Sequence, residues 1–362
     1  MERPHDFTIH IPPQQKTDEL ETRRVLKSLT TTRAALAELK GVAATIPNEQ
    51  ILIETLSLQE AKDSSAIENI VMTHDELYRS DATRPKFTSA AAKEVHHYAK
   101  ALRIAFQETK RTGVISTSLI LNVQSIIEGN SAGIRKLPGT VLKNEGTGEV
   151  IYTPPQHPDE ISRLLTDLQK FMHDEDNELD PLVKMALIHH HFESIHPFYD
   201  GNGRTGRIIN ILYLIKEELL DLPILYLSHY IIKNRTEYYR LLQDVRTTDN
   251  WESWILYMLE AVRQTSIDTV RTIKAVKQLM LLLKKRIRSE QSLIYSQDLM
   301  NNLFRHPYTK IDILMEELQV SRPTAMRYLN ILVEMGILEK HRMGRTNYYL
   351  NVELFALLTR TD

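Results

Sequence analysis

The segment from Arg204 to Leu220, RTGRIINILYLIKEELL, constrains the fold of this 362-residue chain more than any other segment. Its apolar residues fall on nearly every side of a helix, which is typical of a helix buried at the centre of a domain. Other helices must therefore surround it. Glycine is sparse, at 12 residues, and three of these glycines fall within residues 196–207. We predict a mainly α-helical fold around this central helix.

Composition excludes several classes of protein. The formal net charge of -2 argues against bulk binding of nucleic acid, although a local basic face is compatible with it. The chain has no cysteine, which excludes disulfides and thiolate metal sites. No apolar run approaches the roughly 20 residues of a membrane span, and the polar N-terminus lacks the apolar core of a signal peptide. We expect a cytoplasmic protein without a membrane segment.

Periodic apolar patterns predict further helices along the chain. Asn48, Asp180 and Asn250 are suitable N-caps, and Pro181 follows Asp180 at the first helical position. We predict an extended segment over residues 1–14, two short helices around Tyr230 and over 235–245, and longer helices over 15–44, 48–67, 89–112, 116–128, 158–172, 181–195 and 251–288.

Residues 133–155 interrupt the helical pattern. Within them, VLKNEGTGEVIYTPP has two short apolar runs on either side of Asn144, Glu145 and Gly146–Gly148. Two apolar runs around a glycine-containing turn are typical of a β-hairpin. We therefore predict a small hairpin over residues 141–153.

Residues 289–362 have the pattern of a separate small domain. Thr309 with Asp312 indicates a helix start, and KIDILMEEL is followed by a turn at Gln319–Ser321 and a second helix, SRPTAMRYLNILVEMG. Two strands joined at Met343 and Gly344 come next. A helix-turn-helix followed by a β-wing resembles the winged-helix family. Its local balance is basic, with the cations Arg322, Arg327, Lys340, Arg342 and Arg345 against the anions Glu334 and Glu339.

The twelve residues just before and within the start of the central helix, HPFYDGNGRTGR from His196 to Arg207, carry the chemistry. They combine a histidine, a carboxylate, a Gly-Asn-Gly turn and two arginines, which are the parts that phosphoryl or nucleotidyl transfer needs. The run fits the pattern H-P-F-x-[DE]-G-N-G-R-x-x-R without a departure, and it resembles the motif of the Fic family. We divide the chain into an N-terminal helical region (1–90), a Fic core (91–288) and the C-terminal domain (289–362).

Each motif residue has a role that its chemistry suggests. An imidazole with a pKa near ~6.5 suits removal of a proton from a hydroxyl, so His196 is the expected general base. Phe198 is expected to point inward and anchor the loop. Asp200 is the only carboxylate in the motif, and Mg²⁺ binds one or two carboxylates together with phosphate oxygens. We expect Asp200 to hold Mg²⁺.

The remainder of the motif is expected to bind ATP. Gly201, Asn202 and Gly203 can direct successive N–H groups into one anion-binding nest at the positive end of the central helix, and the Asn202 side chain can add a donor. Arg204 is expected to contact the β-phosphate, and Arg207, one turn later, the γ-phosphate. Thr205 and Gly206 complete this ATP-binding run. Tyr238 and Tyr239 are candidates for covering the adenine or ribose, with packing as the alternative role.

The resemblance implies a protein adenylyltransferase that moves AMP from ATP to a Ser, Thr or Tyr hydroxyl. The family has an inhibitory helix with the pattern [ST]-x-x-x-E-[GN], which Ser64, Glu68 and Asn69 match, so Glu68 is the expected inhibitor acting on Arg207. It implies that a target segment is held against the 141–153 flap by strand addition. We further expect self-modification and a homodimer.

Two other readings compete with this one. His189, His190, His191 and His196 suggest a metal enzyme, but adjacent helical residues point about 100° apart and the HExxH spacing is absent, so zinc is not expected. Some of these histidines are expected to pack or form hydrogen bonds at the helix surface. The alternative function is a DNA-binding regulator in which the winged helix acts and the Fic domain senses or modifies. There Arg322, Thr324 and Arg327 would face a groove, and Arg342 and Arg345 would meet phosphate.

Overall fold

The computed structural model describes residues 8–13, 15–83, 87, 89–143, 146–343 and 346–359. These residues form sixteen α-helices and two small antiparallel sheets, so the predicted mainly α fold class is confirmed. None of the described helices is both long enough and apolar enough to cross a bilayer. The domain boundaries at residues 90 and 288 stay predictions.

Four helices form the N-terminal region: α1 (Thr17–Leu20), α2 (Arg23–Ala43), α3 (Glu49–Ile67) and α4 (His74–Thr83). The single helix predicted over 15–44 is therefore wrong. Thr22 starts a new helix because its hydroxyl accepts a hydrogen bond from the Val25 N–H. The predicted N-cap of α3 is confirmed, since the Asn48 side chain accepts from the Gln50 N–H at 3.0 Å. No pattern in the sequence predicted α4.

The central region contains eight helices and a hairpin: α5 (Ala90–Thr112), α6 (Thr117–Glu128), β1 (Leu142–Lys143), β2 (Val150–Tyr152), α7 (Pro158–Met172), α8 (Pro181–Ile195), α9 (Asn202–Lys216), α10 (Leu227–Lys233), α11 (Arg235–Thr248) and α12 (Trp251–Glu290). The N-caps predicted at Asp180 and Asn250 both accept backbone hydrogen bonds. In the hairpin, Leu142 pairs with Tyr152. The predicted turn residues Asn144 and Glu145 lie outside the described residues.

The predicted central helix is α9, and its bounds differ from the expected ones. It begins at Asn202, inside the motif, so that Gly203 lies in its first turn. It ends at Lys216 because Glu218 adopts a left-handed conformation, with φ 55°, and the chain folds back. The N–H groups of Leu219 and Leu220 then bond to the Leu214 carbonyl. Residues 182–195 of α8 are all buried against this part of the core, and together α8 and α9 position the motif loop between them.

The C-terminal domain consists of a short 3₁₀ turn (Ser292–Ile294), α13 (Gln297–Arg305), β3 (Tyr308–Thr309), α14 (Ile311–Leu318), α15 (Arg322–Glu334), β4 (Leu338–Met343), β5 (Thr346–Asn351) and α16 (Val352–Thr359). The helix-turn-helix and the following strand pair occur in the predicted order, and β3 adds a third strand beside β5. The helix start predicted at Thr309 is wrong, because Thr309 lies in β3 and Lys310 is the N-cap. Gly344 and Arg345 lie outside the described residues.

Helix α3 lies between the central region and the C-terminal domain. Arg305 of α13 donates two hydrogen bonds to the Glu54 carboxylate of α3, at 2.8 and 3.2 Å. The Gln59 side chain, one turn further along α3, donates to the Leu358 carbonyl of α16 at 2.6 Å. Most of α3 is buried as a result, including polar residues such as Ser64. A displacement of α3 would therefore have to disturb both neighbours.

Candidate active site

The motif loop begins where α8 ends. His196 is the C-cap of α8 and has left-handed backbone angles, φ 47° and ψ 60°, which are uncommon for a residue with a side chain. Pro197 follows and cannot continue the helix. Phe198 is fully buried against Phe192, with ring centroids 6.3 Å apart, as predicted for a loop anchor.

The surroundings of His196 favour a neutral imidazole. Burial, followed by the positive charges of Arg246 and Arg135, lowers the pKa of His196 to about 4. The ring is thus able to accept a proton at neutral pH, which is the property required of a general base.

The turn before α9 has the backbone geometry of an anion-binding site. Gly201 is the N-cap of α9 with φ 80°, and its N–H donates to the Asp200 carboxylate at 2.6 Å. The Asn202 amide exchanges two 2.9 Å hydrogen bonds with the backbone of Phe198. In this structure the Asn202 side chain therefore closes the loop instead of adding the predicted donor to the nest. The unpaired N–H groups of the first turn of α9 still carry the positive end of the helix dipole.

Glu68 lies at the start of α9. Its carboxylate lies so close to Gly203 that a Cβ on this glycine would collide with it. It also accepts a 2.8 Å hydrogen bond from Arg207, which is 1% exposed, whereas the Glu68 side chain is 34% exposed. Ser64, one turn earlier on α3, accepts two more hydrogen bonds from Arg207, through its hydroxyl at 2.8 Å and its carbonyl at 2.9 Å. The sequence-predicted residues Ser64, Glu68 and Arg207 thus come together.

Arg204 is held by three carboxylates, two of which lie outside the motif, on α5 and α6. It donates to Glu94 of α5 at 3.0 Å and to Glu128 of α6 at 2.7 Å, and Asp200 lies 3.6 Å away. Burial raises the pKa of Glu128, with Arg204 acting in the opposite direction. In this structure Arg204 points to these carboxylates, so the predicted contact with a β-phosphate requires them to release it. No sequence spacing connects residues 94, 128 and 204, because the contact is made between three helices.

Thr205 and Gly206 lie where α9 packs against α8. Thr205 is fully buried, and a Cβ at Gly206 would lie 2.7 Å from the Glu193 carboxylate and 3.1 Å from the Phe192 ring. Gly206 therefore permits the close approach of the two helices. The Glu193 Oε1 atom has no hydrogen-bond partner in the described part of the chain. Burial raises the pKa of Glu193 to about 7.

The remaining candidates divide between exposed and buried positions. The Asp200 side chain is 78% exposed, as a carboxylate must be to reach a metal bound with phosphate oxygens. Tyr239 is exposed, with the Arg235 guanidinium 5.6 Å from its ring centre. Tyr238 is buried and shares a 2.8 Å hydrogen bond with His189, so it belongs to the core.

The histidine triplet is buried, and its members pack and form hydrogen bonds, as expected: His189 shares a hydrogen bond with Tyr238, and His190 with the Leu242 carbonyl. Desolvation lowers the pKa values of His189 and His191 to about 3, and that of His190 falls as well. His189 stacks on Trp254 with an interplanar angle of 6°. Within the described residues, no group of three or more His, Asp or Glu side chains could hold a metal ion.

Comparison with protein families identifies three matching regions. Residues 26–107 match the Fic/DOC family N-terminal model, and residues 114–214 match the Fic/DOC family model. Residues 279–354 match the C-terminal domain of SoFic-like protein adenylyltransferases. The chain is a Fic family protein. The Fic model covers the complete motif and both helices that position it, α8 and most of α9.

Curated relatives and solved structures agree with this. The chain is 27% identical over 200 residues to a probable protein adenylyltransferase of Aquifex aeolicus, covering 53% of this chain and 56% of that protein. It is 32% identical over 89 residues to the protein adenylyltransferase fic-1 of Caenorhabditis elegans, covering 24% of this chain and 16% of that protein. The Fic chain thus spans about half the length of the first relative and much less of the second.

Two crystal structures share the fold. A Fic family protein from Desulfovibrio desulfuricans superposes with a TM-score of 0.58 at 22% identity, over 91% of this chain and 96% of that chain. A Fic domain-containing signaling protein from Bacteroides thetaiotaomicron superposes with a TM-score of 0.54 at 17% identity, over 67% of this chain and 97% of that chain. The first superposition extends over nearly the whole Fic chain, including its C-terminal part.

Proposed function

We propose that this Fic protein is a protein adenylyltransferase, which transfers AMP from ATP to a Ser, Thr or Tyr hydroxyl of a target protein. The observation that carries the proposal is the position of the Glu68 carboxylate at the N-terminus of α9, against Gly203 and paired with Arg207. An anionic group of the protein itself thus occupies a site with the geometry and charge for a phosphate. The names of the relatives support the choice of AMP transfer.

The proposed reaction forms one bond and breaks another at the α-phosphate. The hydroxyl oxygen of the target attacks the α-phosphorus, the bond from this phosphorus to the bridging oxygen of the β-phosphate breaks, and diphosphate leaves. The neutral imidazole of His196 takes the hydroxyl proton. Gly203 directs its backbone N–H towards the phosphates, and Gly201 does so after release from the Asp200 carboxylate. Arg204 binds the β-phosphate after release from Glu94 and Glu128, and Arg207 binds the γ-phosphate.

Asp200 would hold a Mg²⁺ ion together with phosphate oxygens. Its exposed carboxylate beside the nest fits a cation that takes only one or two protein ligands. When bound, the ion would neutralise charge on the α- and β-phosphates. Tyr239, exposed on α11, is the proposed contact for the adenine or the ribose, whereas Tyr238 is buried. Thr205 and Gly206 contribute to the site through the packing of α9 rather than through direct contact with ATP.

We propose that Glu68 inhibits the enzyme by occupying the position of the γ-phosphate. ATP can bind Arg207 productively only if the Glu68 carboxylate leaves it. Because α3 is held by the C-terminal domain through Glu54 and Gln59, the inhibited state has support from outside the active site. Inhibition by a residue of the same chain then sets the basal rate of transfer.

The hairpin flap is the proposed binding place of the target. Val150 and Ile151 of β2 are large apolar residues that are exposed to solvent. The 141–153 flap could therefore take an added strand of the target, with hydrogen bonds between main chains. Self-modification requires only that a hydroxyl of another copy reaches the same place. A homodimer and a cytoplasmic location stay predictions.

Transfer from ATP labelled at the α-phosphate tests the proposed function. Wild type, Glu68→Gly and the double variant Glu68→Gly/His196→Ala are incubated with labelled ATP and cell extract, and labelled proteins are separated on a denaturing gel. We expect weak labelling by wild type, strong labelling including self-labelling by Glu68→Gly, and none by Glu68→Gly/His196→Ala. Glu49→Gly, which changes an exposed glutamate at the other end of α3, is the matched control. Equal labelling by wild type and Glu68→Gly would remove the inhibitory role, and labelling without His196 would remove the catalytic one.

DNA binding by the C-terminal domain is the second candidate function. Arg322, Met326 and Arg327 of α15 are exposed, and Thr324 is half-buried between them. Arg322 forms a 3.0 Å ion pair with Asp312 on α14, which reduces the positive charge available to DNA. A mobility shift with duplex DNA that weakens steeply with salt would support this candidate, and no shift at low salt would reject it.

A further inference from the structure

Arg135 is a fully buried arginine between α6 and β1 that the proposed mechanism does not use. Its Nε donates to the His196 carbonyl at 2.8 Å, and its Nη2 donates to the carbonyls of Pro155 and, at 3.4 Å, Ile195. Its backbone N–H donates to the Pro197 carbonyl at 3.0 Å. One residue thus binds the carbonyls of three consecutive residues, 195 to 197.

These contacts lie at the C-terminal end of α8, where the helix itself stabilises the backbone least. The last carbonyls of α8 have no partner within the helix, and His196 has a left-handed conformation that is unfavourable for a residue with a Cβ. A guanidinium at this helix end supplies several donors in a fixed plane and a charge that suits the negative end of the helix dipole. Arg135 therefore stabilises the backbone conformation of His196, which sets the direction of the His196 side chain.

A neighbouring contact fastens the same two segments together. The Tyr199 hydroxyl oxygen accepts hydrogen bonds from the N–H groups of Lys136 and Leu137, at 2.9 and 3.1 Å. Residues 135–137 are thus attached to the motif loop on both sides of Phe198. This leaves the direction of the His196 side chain dependent on a segment outside the motif.

Arg135 also joins the loop to the flap. Pro155, whose carbonyl accepts from Arg135, follows strand β2. On the same strand, the Tyr152 hydroxyl donates to the Ser194 carbonyl at 2.9 Å, and Arg246 stacks on the Tyr152 ring at 4.1 Å while donating to the Ser194 hydroxyl at 3.0 Å. The end of the flap and the end of α8 therefore form one hydrogen-bonded unit.

The charges around His196 come from several elements. Arg135, from the loop after α6, and Arg246, from α11, are positive, and Asp200 in the motif loop is negative. No carboxylate in the described ranges lies within ion-pairing distance of Arg135. Its positive charge is therefore not cancelled by a direct partner, and it acts on the imidazole with less screening than a paired arginine would.

We propose that Arg135 is a positioning residue, which fixes the orientation of the His196 imidazole and links it to the arm of the flap. The part of this proposal that concerns AMP transfer rests on the proposed function above. The part that concerns the orientation and charge state of His196 is independent of the proposed function and is measured separately.

The first test follows the His196 ring by NMR in the full-length protein with ¹³C-labelled histidine. The signal is assigned by its loss in His196→Ala. In Arg135→Gln we expect this signal to move and to titrate about one pH unit higher than in wild type, because a nearby positive charge is gone. In Arg135→Lys the titration should stay within a few tenths of the wild-type midpoint while the signal still moves, since an ammonium cannot hold the His196 and Pro155 carbonyls in one plane. An unchanged signal and midpoint in both variants would overturn the proposal.

The second test measures kcat and KM separately in the Glu68→Gly background. Arg135→Gln should lower kcat for AMP transfer about ten- to a hundredfold, with KM for ATP changed by no more than about twofold, because the base is misplaced while the nest is intact. Arg163→Gln, which removes an exposed arginine of α7, is the control and should change neither constant. A rise in KM with unchanged kcat would contradict the proposal. If the Glu68→Gly parent transfers no AMP, the proposed function fails, and the NMR titration still decides the role of Arg135.

Discussion

Replacing Glu68 by glutamine should make the chain less stable and more active at the same time. The cause is the same in both cases, because the substitution removes the negative charge that faces Arg207. Arg207 is 1% exposed and would keep its two hydrogen bonds to Ser64, and the glutamine amide oxygen could still accept its third, so the substitution removes the charge of the pair and not every hydrogen bond. Glutamine is preferable to glycine for this measurement, since a new glycine would also make the unfolded chain more flexible.

The expected loss of stability follows from how far the Glu68 and Arg207 side chains are exposed to solvent. Breaking a fully buried ion pair costs about 3–5 kcal/mol, whereas exposed pairs contribute about 0–1 kcal/mol. Glu68 is 34% exposed and its partner is buried, so we expect a loss of about 1–2 kcal/mol in the free energy of unfolding. The same free energy holds Arg207 away from ATP. Its removal should therefore raise the apparent affinity for ATP about five- to thirtyfold.

Thermal melting with and without nucleotide measures both effects. We expect the Glu68→Gln melting temperature to fall by about 1–3 °C without nucleotide. With ATP and Mg²⁺ at about a hundred times Kd, binding contributes about 2.7 kcal/mol and should more than restore the stability of the variant. Wild type should gain less at the same concentration. Glu49→Gln is the control and should behave as wild type in both conditions.

Two outcomes would refute this reasoning. The first is a Glu68→Gln variant that is as stable as wild type without nucleotide, which would mean that the Glu68–Arg207 pair contributes nothing. The second is an equal rise in melting temperature on adding ATP to wild type and variant, which would mean that Glu68 does not compete with the nucleotide.

Three further predictions concern a buried glutamate of α8, a glycine of the motif loop and the contact between α3 and the C-terminal domain. Burial raises the pKa of Glu193 from 4.5 to about 7, so its neutral form stabilises the fold below pH 4.5 and this stability is lost as the pH rises through 7. Urea denaturation should show Glu193→Gln equal to wild type near pH 4.5 and more stable by up to about 3 kcal/mol above pH 8. Gly201→Ala should lose about 1–2 kcal/mol in thermal melts, since φ is +80°, whereas Gly41→Ala, in open space on α2, should lose nothing. Arg305→Ala should loosen α3 and raise basal AMP transfer about two- to fivefold, and a further Glu54→Ala change should add little.

The chemistry of the motif could be predicted from the sequence because it depends on contiguous residues. His196, Asp200, the Gly201–Gly203 turn and Arg207 follow one another along a loop and a first helical turn, so their approximate arrangement is a matter of local geometry. The helices could be predicted from periodicity for the same reason. Short elements such as α4, α13 and α16 could not, because they are defined by packing against other parts of the chain rather than by a strong pattern of their own.

The pairing of Glu68 with Arg207 could be predicted only from the resemblance to the Fic family. A glutamate 139 residues before an arginine carries no local signal, and only the family pattern indicated the contact. Other contacts of the site match no sequence pattern and could not be predicted. Glu94 and Glu128 bind Arg204, and Arg135 binds the backbone of His196, across distances along the chain that no spacing rule covers.

The helical class, the motif loop, the order of the longer helices and the residue types available for nucleotide chemistry follow from the amino-acid sequence alone. Which charges face one another depends on the fold: Glu68 faces Arg207, two glutamates face Arg204, and Arg135, which has no carboxylate partner among the described residues, lies beside His196. The reason is that these properties depend on interactions over different distances along the chain. Backbone conformation and helix periodicity are set by neighbours along the chain, whereas burial and ion pairing depend on which helices meet when the core forms.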